Sequence, residues 1–338
     1  MREAFAMGSF FKRIAPAIAL FFLSPMVAEF LLGDFPLSRI GILLILAPFY
    51  GGGAILIREI TRRTGRGWPT IVTLALAYGI FEEAFTTQTL FNPDYLGLHL
   101  HLLEPAFIPA LGISAWWTTF VLTLHTVWSV SVPIAIMEAL VPQRAHTPWL
   151  KWLGLSIVTV LFVLIACMMT VHSIQSDSHH FMASNRQFAV AAVCCVVVAI
   201  AAFLLPRRRE ERSGGDTPNP WITGALSLAA CSIFLIVPRA WGWGTVAIYF
   251  ALYTMIAAAT LSWSRRSGWN GLHILSLAGG AALSYAWHGF IQQPVTGKAD
   301  AAMRIGNAIL ALGTILLLYA AARRTSATLA ETPAALAK

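Results

Sequence analysis

The sequence predicts an all-α protein: a polytopic transmembrane helix bundle of about ten spans, with the N- and C-termini in the cytoplasm. Three observations carry this. Of 338 residues, 57% are hydrophobic and 11% charged, against roughly 45–50% and 25% in a soluble domain. A soluble chain of this length cannot hide so much apolar surface, which excludes a soluble enzyme and equally a disordered or fibrous chain. The apolar residues fall in runs close to the roughly 20 needed to cross a hydrocarbon layer about 30 Å thick, where only helices and closed barrels satisfy the backbone. The third observation is the uneven placement of lysine and arginine.

The runs cover residues 14–33, 37–57, 69–91, 115–141, 149–171, 187–206, 220–238, 243–263, 270–292 and 303–322. The first follows Lys12 and Arg13 but is long and has no clear small-x-small cleavage site, so it reads as a retained span and not a signal peptide. The second holds Gly51-Gly52-Gly53, with no strand before it and no Lys-Ser/Thr after it. Close helix packing or a bend explains it better than a phosphate loop. The segment RRREERSGGDTPNP, 207–220, is a charged cytoplasmic linker. It separates a six-span segment, 1–206, from a four-span segment, 221–322. Residues 323–338 are expected to form a disordered cytoplasmic tail.

Alternating the spans from a cytoplasmic N-terminus puts 18 Lys and Arg inside and five outside, the outer five being Arg39, Arg186, Arg239, Lys298 and Arg304. The net charge of +8 is thus a topology signal and gives no support for nucleic acid as a partner. The partner the composition implies is the lipid bilayer. Tryptophans cluster near both boundaries, with only Trp128 well inside a span. The four cysteines all fall within spans, so no disulfide framework is implied.

Ionisable residues inside a bilayer are costly and mark function by default. In GIFEEAFTTQTLFNP, on the third span, Glu82 and Glu83 lie roughly 20 Å from the cytoplasmic edge. Helical spacing places Ala75, Gly79, Glu82, Glu83, Thr86 and Thr87 on one arc of about 140°. Small and polar residues on one arc predict a face turned to other helices or to a cavity, where two adjacent carboxylates resist joint ionisation. On the next span His125 lies about 15 Å from the outer edge, at a matching depth. Carboxylates with an imidazole in a partly dry cavity suit general acid–base catalysis, or a metal that activates water. Glu29, near the outer end of the first span, could face the same cavity but reads first as interfacial, and Glu138 reads as solvated. Six histidines (His99, His101, His172, His179, His180 and His288) fall on the outer side. They read mainly as scattered surface residues, with His125 and His288 retained as possible zinc ligands.

The Glu pair followed by a histidine in the next span resembles the CAAX-protease and bacteriocin-processing (Abi) family of intramembrane proteases, whose pattern is EExxxR, FxxxH and a later HxxxN or HxxxD. Glu82-Glu83 matches the first two positions, with Thr87 where the family has arginine. His125 matches the second histidine, with Phe120 five residues before it instead of four. His288 with Gln292 is the nearest third element. The resemblance covers about 60 residues and implies a peptidase in which Glu82 or Glu83 activates water and His125 positions it or stabilises the oxyanion. Its substrate would be a membrane-embedded peptide, and the site would open to the extracytoplasmic side. The string FEEAFTTQTLFNPDYLGL also resembles a group of uncharacterised bacterial membrane proteins, which implies a bacterial plasma membrane. Two further readings stay open: a proton-coupled transporter using the same residues as proton and substrate ligands, and a non-catalytic membrane scaffold.

Overall fold

The computed structural model describes residues 2–177, 180–207, 214–295 and 297–336, with side chains between 12 and 331 of these. His179, Arg208, Arg209, Arg212 and Lys338 lie outside the described residues. All ten expected runs are helical. Helix α1 spans Arg2–Pro25, and a short α2 at Leu43–Leu46 leads into α3 at Gly52–Arg63. Helix α4 is Trp68–Phe81, α5 Ala115–Leu124 and α6 Val132–Leu140. Then come α7 (Trp152–Ser176), α8 (Asn185–Leu204), α9 (Pro220–Ile236), α10 (Trp243–Ser264), α11 (Gly271–His288) and α12 (Ala301–Leu336). Among the described residues, seven continuous helices are long and apolar enough to cross a membrane. The third, seventh and ninth expected spans are not among them: α4 and the turn after it carry two glutamates, α9 has 17 residues, and α11 is rich in small and polar side chains.

Burial sorts the helices into two layers. About half or more of the first, second and fourth expected spans is buried (50, 56 and 61%), against 17% or less of α7, α8, α10 and α12. The latter expose Leu, Val and Ile along their outer faces, as helices facing lipid do. Where lipid is as apolar as the core, helices associate through close packing, and small residues permit it. A Cβ added to Gly51 would fall 1.9 Å from the carbonyl oxygen of Phe21, and one added to Gly280 2.4 Å from that of Gly224. The glycine run at 51–53 therefore serves helix contact.

The two sequence segments share one core. Trp128, in the fourth span, stacks on Tyr285 of α11 with ring centres 4.4 Å apart and donates its Nε1–H to the Ala281 carbonyl. Phe234 of α9 and Tyr249 of α10 join the same cluster. The C-terminal residues differ from expectation. Helix α12 continues to Leu336, and the alanine-rich segment after Arg324 is helical, as alanine favours. Thr325 donates to the Ala139 carbonyl and Gln143 to Thr328, which docks this end on the turn after α6.

At the arginine-rich ends of the inner helices, Arg58 is buried among Glu59, Glu138 and the carbonyls of Arg144, Ala145 and Thr147, with its guanidinium 3.3 Å from the ring centre of Trp149. Arg62 binds both oxygens of Glu138, at 2.8 and 2.6 Å. Glu138, expected to be solvated, is only 5% exposed. Two arginines pair with it there, because a buried carboxylate needs matched donors.

Candidate functional site

Four of the inner helices contain a π-type turn: Met26–Leu31, Ala47–Gly51, Glu82–Thr86 and His125–Ser131. Such turns insert one residue, rotate the following side chains and occur frequently at functional sites. In the third of them the Thr87 N–H reaches back five residues to the Glu82 carbonyl. These turns carry Glu29, Tyr50, Glu82 with Glu83, and His125, and those residues meet.

His125 lies between the two carboxylates. Its Nε2 is 2.7 Å from Glu83 Oε1 and its Nδ1 3.0 Å from Glu82 Oε2, with all three residues at most 6% exposed. The approach depends on Gly79: a Cβ there would sit 3.2 Å from the Cβ of His125. Ser129 is 3.3 Å from Nδ1. The second oxygen of Glu83 accepts from the hydroxyls of Thr87 and Thr89, and Thr89 in turn accepts from Trp117 Nε1 at 3.0 Å. Glu83 is thus satisfied at both oxygens. Glu82 is not: its Oε2 faces the imidazole without hydrogen-bond alignment and has no other partner.

Two tyrosines close the site. The Tyr50 ring stacks on the imidazole at 6.1 Å and the Tyr78 ring meets it edge-on at 6.2 Å. The Tyr50 hydroxyl lies near both Glu29 and Glu82. The Tyr78 hydroxyl is directed at Glu82 without a well-formed bond, and the Thr86 hydroxyl nearby is also without a partner. Glu29, half-buried at the outer end of the first span, interacts electrostatically with His125 and Glu83. Neither tyrosine was marked by the sequence, because a lone tyrosine in an apolar run looks like packing. Their one sequence signal is that Tyr78 precedes the Glu pair by four residues, one helical turn.

The expected zinc ligands separate. Glu82, Glu83 and His125 each offer a donor atom within 4.8 Å of the others, and they form the one such group among the described residues. His288, at the end of α11, is not part of it and packs against Trp287. The other described outer histidines have local partners: His99 with Asp94, His101 with Glu104, His172 with Ser176 and His180 with the Ile174 carbonyl.

On the far side of Tyr78 an apolar groove of about 270 Å³ opens between α3, α4, α7 and α8, lined by Gly53, Leu56, Leu74, Tyr78, Phe81 and Phe162 among others. Tyr78 is common to the groove and the carboxylate–imidazole cluster.

No curated protein and no solved structure matches the chain. A family described as "Uncharacterized membrane protein family" matches residues 18–329, which include the whole cluster and all the helices that build it. The chain is an integral membrane protein and belongs to that family.

Proposed function

We propose that the protein is an intramembrane hydrolase of peptidase type, with Glu82 and His125 as its catalytic residues and Glu83 as the group that positions the imidazole. The observation that carries this reading is the asymmetry of the two glutamates. Glu83 has every oxygen occupied, one by His125 and one by two threonines. It therefore holds the ring and its tautomer, as a carboxylate behind a catalytic histidine does. Glu82 presents an oxygen that faces only the Nδ1 of His125, 3.0 Å away and without hydrogen-bond alignment, and the Tyr78 hydroxyl has no hydrogen-bond partner among the described residues. A carboxylate so placed is suited to take a proton from water, with His125 passing it on to the leaving group. The Tyr78 hydroxyl is suited to stabilise an oxyanion.

The donor set also suits a divalent cation. Two carboxylates and one imidazole are ligands that zinc accepts in catalytic sites, and bound zinc would supply Lewis acidity and an activated water. Substrate access fits the apolar groove behind Tyr78, whose lining suits a hydrophobic segment arriving from the bilayer. The likeness to the CAAX-protease and bacteriocin-processing family rests on Glu82, Glu83 and His125 alone, and the matched family brings no activity with it.

Purified protein, assayed for cleavage of membrane-embedded peptides and for zinc content, tests the reading. Glu82→Gln should lower turnover by a factor of about 10² to 10⁴, the usual worth of a general base. Glu83→Gln should lower it less and shift its pH profile. Equal turnover in wild type and Glu82→Gln would retire the hydrolase. One observation favours a second reading, proton-coupled transport: Glu29 feels the charge of Glu83, and Asp34 that of Glu29, so further carboxylates outside the Glu82–Glu83 pair are coupled to it. Substrate uptake into vesicles that is lost in Glu29→Gln, with no cleavage by wild type, would decide for transport.

A further inference from the structure

The arginine-rich end of the molecule holds a second site, unconnected with the Glu82 cluster. Lys12 and Arg13 stand where α1 becomes apolar enough to enter the membrane. Together with Arg144 and Pro148 they line a cleft of about 480 Å³. Arg144 fixes its shape: the guanidinium donates to the backbone carbonyls of Lys12 and Arg13, at 3.3 and 3.0 Å, which joins the turn after α6 to the first span.

The cleft has three cationic residues and no acidic one in its lining. The two buried acids of this end, Glu59 and Glu138, are already committed to Arg58, Arg62 and Arg63. None of the three cations of the cleft makes an ion pair with a described residue. Like charges held together repel unless an anion is placed among them. The only polar contacts of Arg144 in the cleft are to backbone oxygens, which leave its charge unneutralised.

We propose that this cleft binds the phosphate headgroup of an anionic phospholipid. The position argues for lipid over a soluble anion. The cleft lies at the start of a membrane span, where a phosphodiester already resides, and a headgroup there keeps its acyl chains alongside the exposed apolar face of α1, which includes Ile18 and Phe22. Basic pockets between spans on the positively charged side of membrane proteins bind anionic headgroups in this way.

The test is lipid retention by the full-length protein, followed by native mass spectrometry after delipidation and exposure to phosphatidylglycerol or to phosphatidylcholine with the same chains. Wild type should retain phosphatidylglycerol in preference. The double variant Lys12→Gln/Arg13→Gln should bind it roughly tenfold or more weakly. The two substituted side chains make no hydrogen bond with a described residue, so the variant should fold. Arg144→Gln is unsuitable as the main variant because it also loosens the turn. The control Lys151→Gln/Arg323→Gln removes the same charge without touching the turn after α6 and should leave retention unchanged. The proposal is overturned if phosphatidylcholine is retained equally, if the control lowers retention as much, or if inorganic phosphate raises thermal stability as far as the lipid does. The last result would identify a free-anion site. None of these outcomes depends on whether Glu82 is catalytic.

Discussion

Asp34 shows how the interior reaches the ends of the spans. It lies in the turn between the first two spans and accepts from Gln292 Nε2 at 2.7 Å, which ties that turn to the residues after α11. Burial, then the neighbouring Glu29, push its carboxyl up to about 8, against the opposing pull of the Gln292 bond. The folded protein therefore holds a proton here that the unfolded chain has released above about pH 4. For an acid raised in this way the favourable contribution is complete below the unfolded value. It fades as pH rises and is gone above about 8. Wild type is expected to lose thermal stability between pH 5 and 8, and Asp34→Asn to lose markedly less, measured by tryptophan fluorescence in detergent. At this scale the sequence was informative where a residue conflicts with its surroundings. Glu82, Glu83 and His125 stand out in apolar runs, and the structure joins all three. Glu138 was misplaced because depth along a span does not tell whether a side chain turns to solvent, to lipid or to an arginine.

At the scale of elements, the π-turns decide the site. Hydrophobic periodicity cannot show one inserted residue, so they are invisible to it. Prolines give a partial signal. Pro25 precedes the first turn, Pro48 lies within the second and Pro133 follows the fourth. Each lacks the N–H that a regular helix would use, which frees a carbonyl and eases the departure from α geometry. The third turn has no proline and falls where the helix ends, before Gln88 with its φ of 58° reverses the chain. Gly79 is the complementary device, letting α4 and the fourth span approach until His125 meets the carboxylates. Gly79→Val should force the two apart, at a cost of about 1–3 kcal/mol for overpacking. The predicted sign is a lower unfolding midpoint together with reactivity of the otherwise protected His125 toward diethyl pyrocarbonate. A variant as stable and as protected as wild type would show that the glycine does not set the contact.

For the molecule as a whole, the division at 207–220 is a feature of the chain and not of the core. The residues on either side pack together through Trp128, Phe234, Tyr249 and Tyr285. The layering follows from composition, since α7, α8, α10 and α12 are apolar all round and can tolerate lipid, while polar faces must turn inward. Orientation is open to direct measurement. With native cysteines removed, a cysteine at Arg265 should be blocked by a membrane-impermeant thiol reagent only after the membrane is opened, and one at Arg239 should react in intact cells. The reverse pattern would place the carboxylate cluster nearer the opposite face and invert the proposed side of substrate access.

Composition and the spacing of apolar runs determined by themselves that this is a helical membrane protein, where its helices run, and which three polar residues are out of place in them. Those are properties of each segment against its solvent, and hydrocarbon penalises charge and unpaired backbone locally, whatever the rest of the chain does. Only the tertiary structure decided that the three residues touch, that Tyr50, Tyr78 and Glu29 join them, and that His288 does not. Contacts between residues 42 apart depend on how helices cross and how far each π-turn rotates the side chains beyond it. A rotation of about 100° per inserted residue is enough to turn a side chain from lipid to the interior.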